Sequence, residues 1–235
     1  MIETLLLLTH VGAGVTALVF APVAMLTRKG GAVHRRWGRV YFWAMFVIFV
    51  SALALLALRP NVFLFIISIL SFYGAFSGVR SLRRKYPERG EHAAPLDWVA
   101  AAVALLAGVS FIVWGALPLT GLTVSETPTA FSVLGVAFGF VLGKDAWADL
   151  ESFRRPSPDP MWWWTYHLGR MVGSYLAAVT AFMVQNVGPR LPEELAWTVW
   201  VAPGLLGGIG ISFWVRHYHK KFAAQREGAL VNARV

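Results

Sequence analysis

The chain contains no cysteine. That excludes disulfides, zinc–thiolate sites and cysteine-ligated iron–sulfur clusters, and it leaves the redox compartment open. Charge is scarce as well. Only 14% of the 235 residues are charged against 57% hydrophobic, and mean hydropathy is +0.59, so the polar surface is too small to cover a soluble globule of this size. Acid is the scarcer sign, with 12 Asp and Glu against 21 Lys and Arg. In a soluble protein a net charge of +9 would point to nucleic acid. Here most basic residues lie in short stretches between apolar runs, so the charge reads as membrane topology and no nucleic-acid partner is expected. A basic leader is also missing: Glu3 stands near the N-terminus, and the apolar stretch 5–26 is too long for a signal-peptide core. It reads as a retained first span.

What is present is a set of seven apolar runs, each near the roughly 20 residues that cross a hydrocarbon core of about 30 Å. They cover residues 5–26, 40–58, 62–79, 98–117, 128–143, 161–187 and 195–215. The expectation is a single all-α domain, 1–235, folded as an integral membrane seven-helix bundle. Runs two and three are joined by Arg59, Pro60 and Asn61, a tight helical hairpin in which Pro60 stops the first helix. The longest loop, residues 144–160, is polar and Pro-rich and leaves no room for a soluble domain.

Basic residues set the expected orientation. Arg28, Lys29, Arg35, Arg36 and Arg39 lie between runs one and two, and Arg80, Arg83, Arg84, Lys85 and Arg89 between three and four. Lys144, Arg154 and Arg155 lie between five and six, and Arg216, Lys220, Lys221, Arg226 and Arg234 follow run seven. Only Arg59 and Arg190 fall on the other side. This bias places the N-terminus outside and the C-terminus in the cytoplasm, with anionic lipid as a partner of the cytoplasmic face. Seven spans in that orientation invite comparison with rhodopsins, but a retinal Schiff base needs a lysine buried in the bundle. All five lysines lie at span ends or in loops.

The residues that are costly where they sit carry the functional reading. In run six, His167, Arg170 and Ser174 follow i, i+3, i+7 spacing and form a polar stripe that must face protein or a cavity. No acid lies within the apolar part of any run, so Arg170 must reach an acid at the cytoplasmic rim (Asp97, Asp145 or Asp149), cap backbone carbonyls, or bind an anionic ligand. The stretch HRRWGRVY, residues 34–41, reads either as positive-inside anchoring or as a contribution of His34 and Arg39 to the same inner-leaflet site. With run two starting at residue 40, His34 lies below its interfacial Trp37 and His167 above its tryptophan belt. The two imidazoles are then expected about 10 Å apart in depth. On the outer side, His10 belongs to a stripe of small residues, Gly14, Ala17, Ala21 and Ala24, suited to close helix packing. Gln185 and Asn186 end run six on that side and are its expected hydrogen-bond partners. Glycine rows in run five (Gly135, Gly139, Gly143) and run seven (Gly204, Gly207, Gly208, Gly210) extend the close-packing expectation.

His10 in its small-residue span, HRRWGRVY at 34–41 and HLGRMVGSYLAAVTAFMVQN at 167–186 together resemble an uncharacterised family of bacterial multi-spanning membrane proteins, a domain of unknown function. The resemblance runs over most of the chain. It implies a helical protein of the bacterial inner membrane and a signature falling on His10, His34, Arg39, His167, Arg170 and Met171. A looser similarity to di-haem b-type membrane cytochromes rests on histidines in an apolar bundle. The chain departs from that pattern, since two bis-histidine haems need four histidines on paired helices and only His10 and His167 fall inside runs.

Three functions fit these residues. One is a small redox protein holding one b-type haem or a quinone near the inner leaflet. His167 would then be ligand or hydrogen-bond donor, Arg170 and Arg39 would hold propionates or a quinone carbonyl, and a second axial ligand is missing. Another is a transporter or binding protein for a small anionic or amphipathic molecule, with Arg170 as counter-charge. The third is a scaffold or accessory subunit whose polar residues lock helices and whose faces meet a membrane partner or a further copy of the chain. No metal site is expected, because no two ligands stand at i, i+4 within a run.

Overall fold

In the computed structural model, residues 1–121, 129–159 and 161–232 are described, and every regular element among them is helical. Pro128, where the fifth run is expected to begin, and Arg234 lie outside them, as do the side chains of the basic tail 219–232. Among the described residues seven helices are long and apolar enough to cross a membrane, and the protein is an integral membrane protein. Large apolar side chains such as Leu8, Val103, Leu106 and Phe140 point outward, as lipid-facing positions do.

Residues 1–179 form one compact unit. Its helices are α1 (Ile2–Leu26), α2 (Ala32–Leu58), α3 (Val62–Arg80), α4 (Pro95–Leu119), α5 (Thr129–Arg154) and the first part of α6 (Trp162–Asn186). Gly30, at φ +72, makes the turn between α1 and α2. The pair is then held by Ala17 and Ala21, which are buried against Tyr41, Ala44 and Met45. Phe20 stacks on Trp37 at 4.2 Å near one end of the hairpin, and Glu3 pairs with Arg59 at 2.7 Å at the other. Asn61 caps α3 by accepting the N–H of Leu64 at 3.1 Å, directly after the Pro60 stop.

α3 is the most enclosed span. Its buried Ser68, Ser71 and Ser77 donate back to their own helix at Phe65, Ser68 and Gly74. Ser68 and Ser71 are polar residues bonded within their own helix that let helices approach, while Ser77 also interacts with the Tyr166 hydroxyl of α6. α4 and α5 pack more closely still. A Cβ at Gly108 would stand 2.7 Å from the Gly143 nitrogen, and one at Gly139 would stand 2.7 Å from the Gly108 carbonyl oxygen. The glycine row of run five therefore lies at a helix contact. In α8 (Thr198–Asn232), by contrast, Gly204, Gly208 and Gly210 have nothing within 4 Å of the corresponding position.

Three helices outrun their apolar runs. α2 starts eight residues before residue 40, so His34 and Trp37 are helical. α5 continues from residue 143 to Arg154 because KDAWADLESFR turns Ala146 and Asp149 inward with helical spacing, and the helix stops just before Pro156. Residues 144–154 are thus helix where a loop is expected. α8 continues to Asn232, through the basic RHYHKKF stretch. Hydropathy ends a run at its first charges, whereas helices continue through charged residues of good helical propensity.

The second unit, residues 180–235, comprises the end of α6, a 3₁₀ turn (Gly188–Arg190), the short helix α7 (Glu193–Ala196) and α8. Pro192 precedes α7, and Gly188 lies beside Val199.

Candidate functional site

The early start of α2 changes where His34 sits. Its ring centroid lies 6.4 Å from that of His167, with the ring planes at 73°. The expected separation of about 10 Å in depth is corrected, because it assumed a non-helical chain up to residue 40. Both imidazoles are anchored the same way. His34 Nδ1 lies 2.8 Å from the carbonyl oxygen of Ala24 on α1, and His167 Nδ1 lies 2.7 Å from that of Gly78 on α3. A carbonyl only accepts, so each Nδ1 is the donor, and Nε2 is the ring nitrogen left for a further partner. A metal-binding histidine is commonly fixed by the surrounding protein through its other nitrogen in this way.

The local sequence explains the approach of α6 to α3. Gly74 and Gly78 face Ser174 and Arg170, and a Cβ at Gly78 would stand 3.0 Å from the Arg170 Cβ. Seven residues beyond the histidines, Tyr41 and Ser174 meet in a buried 2.7 Å hydrogen bond. On α2, a Cβ at Gly38 would meet nothing within 4 Å, so the helix surface one turn from His34 is open. Lys29 and Lys85 lie close enough to act electrostatically on His167. Lys29 donates to the Met25 carbonyl, and partial burial holds its ammonium below the usual lysine range. Lys85 sits 4.3 Å over the ring of Trp163. Arg39 is exposed and donates to the Arg35 carbonyl at 3.3 Å.

Arg170 takes two of the three routes open to it. Nη1 lies 2.8 Å from Asp145 Oδ2, and Nη2 lies 3.1 Å from Asp149 Oδ1 and 2.7 Å from the Asp145 carbonyl oxygen. Asp149 is fully buried and also accepts from the phenols of Tyr73, at 2.5 Å, and Tyr166. Both rings lie within 6 Å of the guanidinium. The third rim acid, Asp97, is held by Arg80 through two bonds of 2.6 and 2.8 Å. Asp145 and Asp149 are therefore inside a spanning helix, although they fall outside its apolar run. Tyr73 and Tyr166 were not singled out by sequence, and their polar ends are ordinary in spans; only the i+7 spacing of Tyr41 from His34 offered a signal.

The outer histidine is separate. His10 Nδ1 lies 3.0 Å from Ser51 Oγ on α2, and that hydroxyl donates to the Val47 carbonyl at 2.6 Å. Asn186 donates to the Phe182 carbonyl of its own helix at 2.9 Å, and Gln185 precedes it in the same last turn.

A scan against protein-family models and searches of curated proteins and of solved structures each found no match for this chain. Function is accordingly read from its own geometry. That geometry offers two anchored imidazoles close together, and beside them an ion cluster in which Arg170 pairs with Asp145 and Asp149.

Proposed function

We propose that this membrane protein is a small redox protein in which His34 and His167 ligate the iron of one b-type haem, on the cytoplasmic side of a bacterial inner membrane. One observation carries the reading: the separation of the two rings. The two ring centroids lie 6.4 Å apart on two different helices, so both imidazoles would be within reach of one iron. His34 would then be the second histidine that the apolar runs lack.

The donor set suits the group. Both histidines are fixed through Nδ1 by a backbone carbonyl, which leaves Nε2 as the nitrogen that would ligate, and Lys29 and Lys85 near His167 with the exposed Arg39 of α2 would supply cations for propionates. A bound haem would supply one-electron transfer, while the chain fixes ligand tautomer and orientation. The resemblance to the uncharacterised bacterial family belongs to the same proposal, since His34, His167, Arg170 and Met171 of its signature lie near one another along α2 and α6.

Arg170 and Ser174 support a second, structural reading for themselves. Arg170 is ion-paired with Asp145 and Asp149, and Ser174 is hydrogen-bonded to Tyr41, which is how an interhelical lock is built. An anionic cargo held by Arg170 would have to compete with both carboxylates.

The test is an oxidised and dithionite-reduced absorption spectrum of detergent-purified protein expressed with haem precursor. A Soret band with a reduced α-band supports the reading. A colourless, monodisperse protein overturns the haem and favours the helix lock, with a quinone titration as the next measurement.

A further inference from the structure

At the end of the bundle where α3 and α5 finish and α6 begins, Arg84 is buried to 4% exposure. Its guanidinium is sandwiched near Phe153, at 4.3 Å, and Trp162, at 5.6 Å. Its hydrogen bonding is incomplete. Nη1 lies 3.5 Å from Ser152 Oγ, a long contact, and Nε is buried with no acceptor. The neighbouring Asp97 and Asp149 feel its charge but are taken by Arg80 and Arg170. Among the described residues no carboxylate pairs with it.

The same cleft holds a second orphan. Trp162 Nε1 is buried without a partner, and Trp162 and Arg84 both line the cleft together with Ser152, Ser157 and His92. Arginine and indole N–H groups only donate. Two unpartnered buried donors on residues that line one cleft, one of them cationic, call for an acceptor with several oxygens and negative charge. Glu91 is on the wall as well, but its carboxylate accepts the Tyr86 N–H at 3.1 Å.

We infer that this cleft binds a phosphate group, with Arg84 and the Trp162 indole as its principal donors. A tetrahedral oxyanion offers several oxygens to the guanidinium, indole, hydroxyl and imidazole groups of the residues that line this cleft, and a single buried water cannot match its charge. The group has two sources, a phospholipid headgroup or a soluble phosphate ester, and the inference does not depend on the histidine pair.

The experiment is thermal unfolding of the full chain in neutral detergent. One arm adds inorganic phosphate against chloride at matched ionic strength; the other adds phosphatidylglycerol against phosphatidylcholine in mixed micelles. Trp162→Phe keeps the ring over Arg84 and removes only the N–H, so it is the main comparison, with Arg84→Gln beside it. The expected result is stabilisation of the wild type by at least one phosphate source and an apparent Kd about tenfold weaker in Trp162→Phe, the loss of one charge-assisted hydrogen bond. A response to inorganic phosphate assigns a soluble ligand, and a response to phosphatidylglycerol alone assigns a headgroup. No stabilisation by either, or equal stabilisation of wild type and Trp162→Phe by both, overturns the inference.

Discussion

Tyr41 and Ser174 hydrogen-bond at 2.7 Å with each partner seven residues beyond a histidine, Tyr41 after His34 and Ser174 after His167. Seven residues is two helical turns, so the bond fixes α2 and α6 as parallel neighbours in one register. That register brings the two imidazoles together. Tyr41→Phe and Ser174→Ala should each destabilise the protein modestly, with a coupling energy of about 0.6 kcal/mol, typical of hydrogen bonds between membrane helices. A double-mutant cycle by thermal unfolding in detergent measures it. Additive losses would mean that the hydroxyls do not depend on each other.

Arg170 tests the helix lock. Arg170→Met leaves Asp145 and Asp149 without their shared cation, and breaking a buried pair from one side costs about 3–5 kcal/mol. Adding Asp149→Asn to Arg170→Met removes one stranded charge and should recover part of that loss. The milder Arg170→Lys keeps the charge but not the two-pronged contact, and should fall between wild type and Met. Unchanged melting temperatures across the series would instead mark Arg170 as a ligand residue without structural weight.

The α4–α5 contact gives a contrast between glycines. Gly108→Ala forces a methyl group against the backbone of Gly139 and Gly143, and the helices must part. The expected cost is about 1–3 kcal/mol. Gly12→Ala in α1 meets open space, so it should be neutral or stabilising by up to about 1 kcal/mol through helix propensity. Melting temperatures of the two variants side by side check this.

The spans were legible because hydropathy depends on composition alone. Pro60 as a stop and the glycine row on α5 could also be read directly, from backbone chemistry and residue size. The site was legible only in its members. His34 and His167 could be named, but their meeting depended on α2 beginning at Ala32, and apolar runs say nothing about helix that extends through arginines. The same blindness hid the acids of Arg170, since Asp145 and Asp149 lie past the point where the apolar run of α5 ends. Tyr73 and Tyr166 were hidden for another reason: which tyrosines in a span turn toward a buried carboxylate is decided by packing between helices distant in sequence.

The central claim, that His34 and His167 hold one iron between them, is tested most directly by low-temperature EPR of the ferric, detergent-purified protein beside His34→Ala. The account predicts a low-spin bis-imidazole signal in the wild type and its conversion to high spin when His34 is removed. A low-spin signal that survives His34→Ala, or a wild-type protein with no ferric haem signal at all, would contradict it.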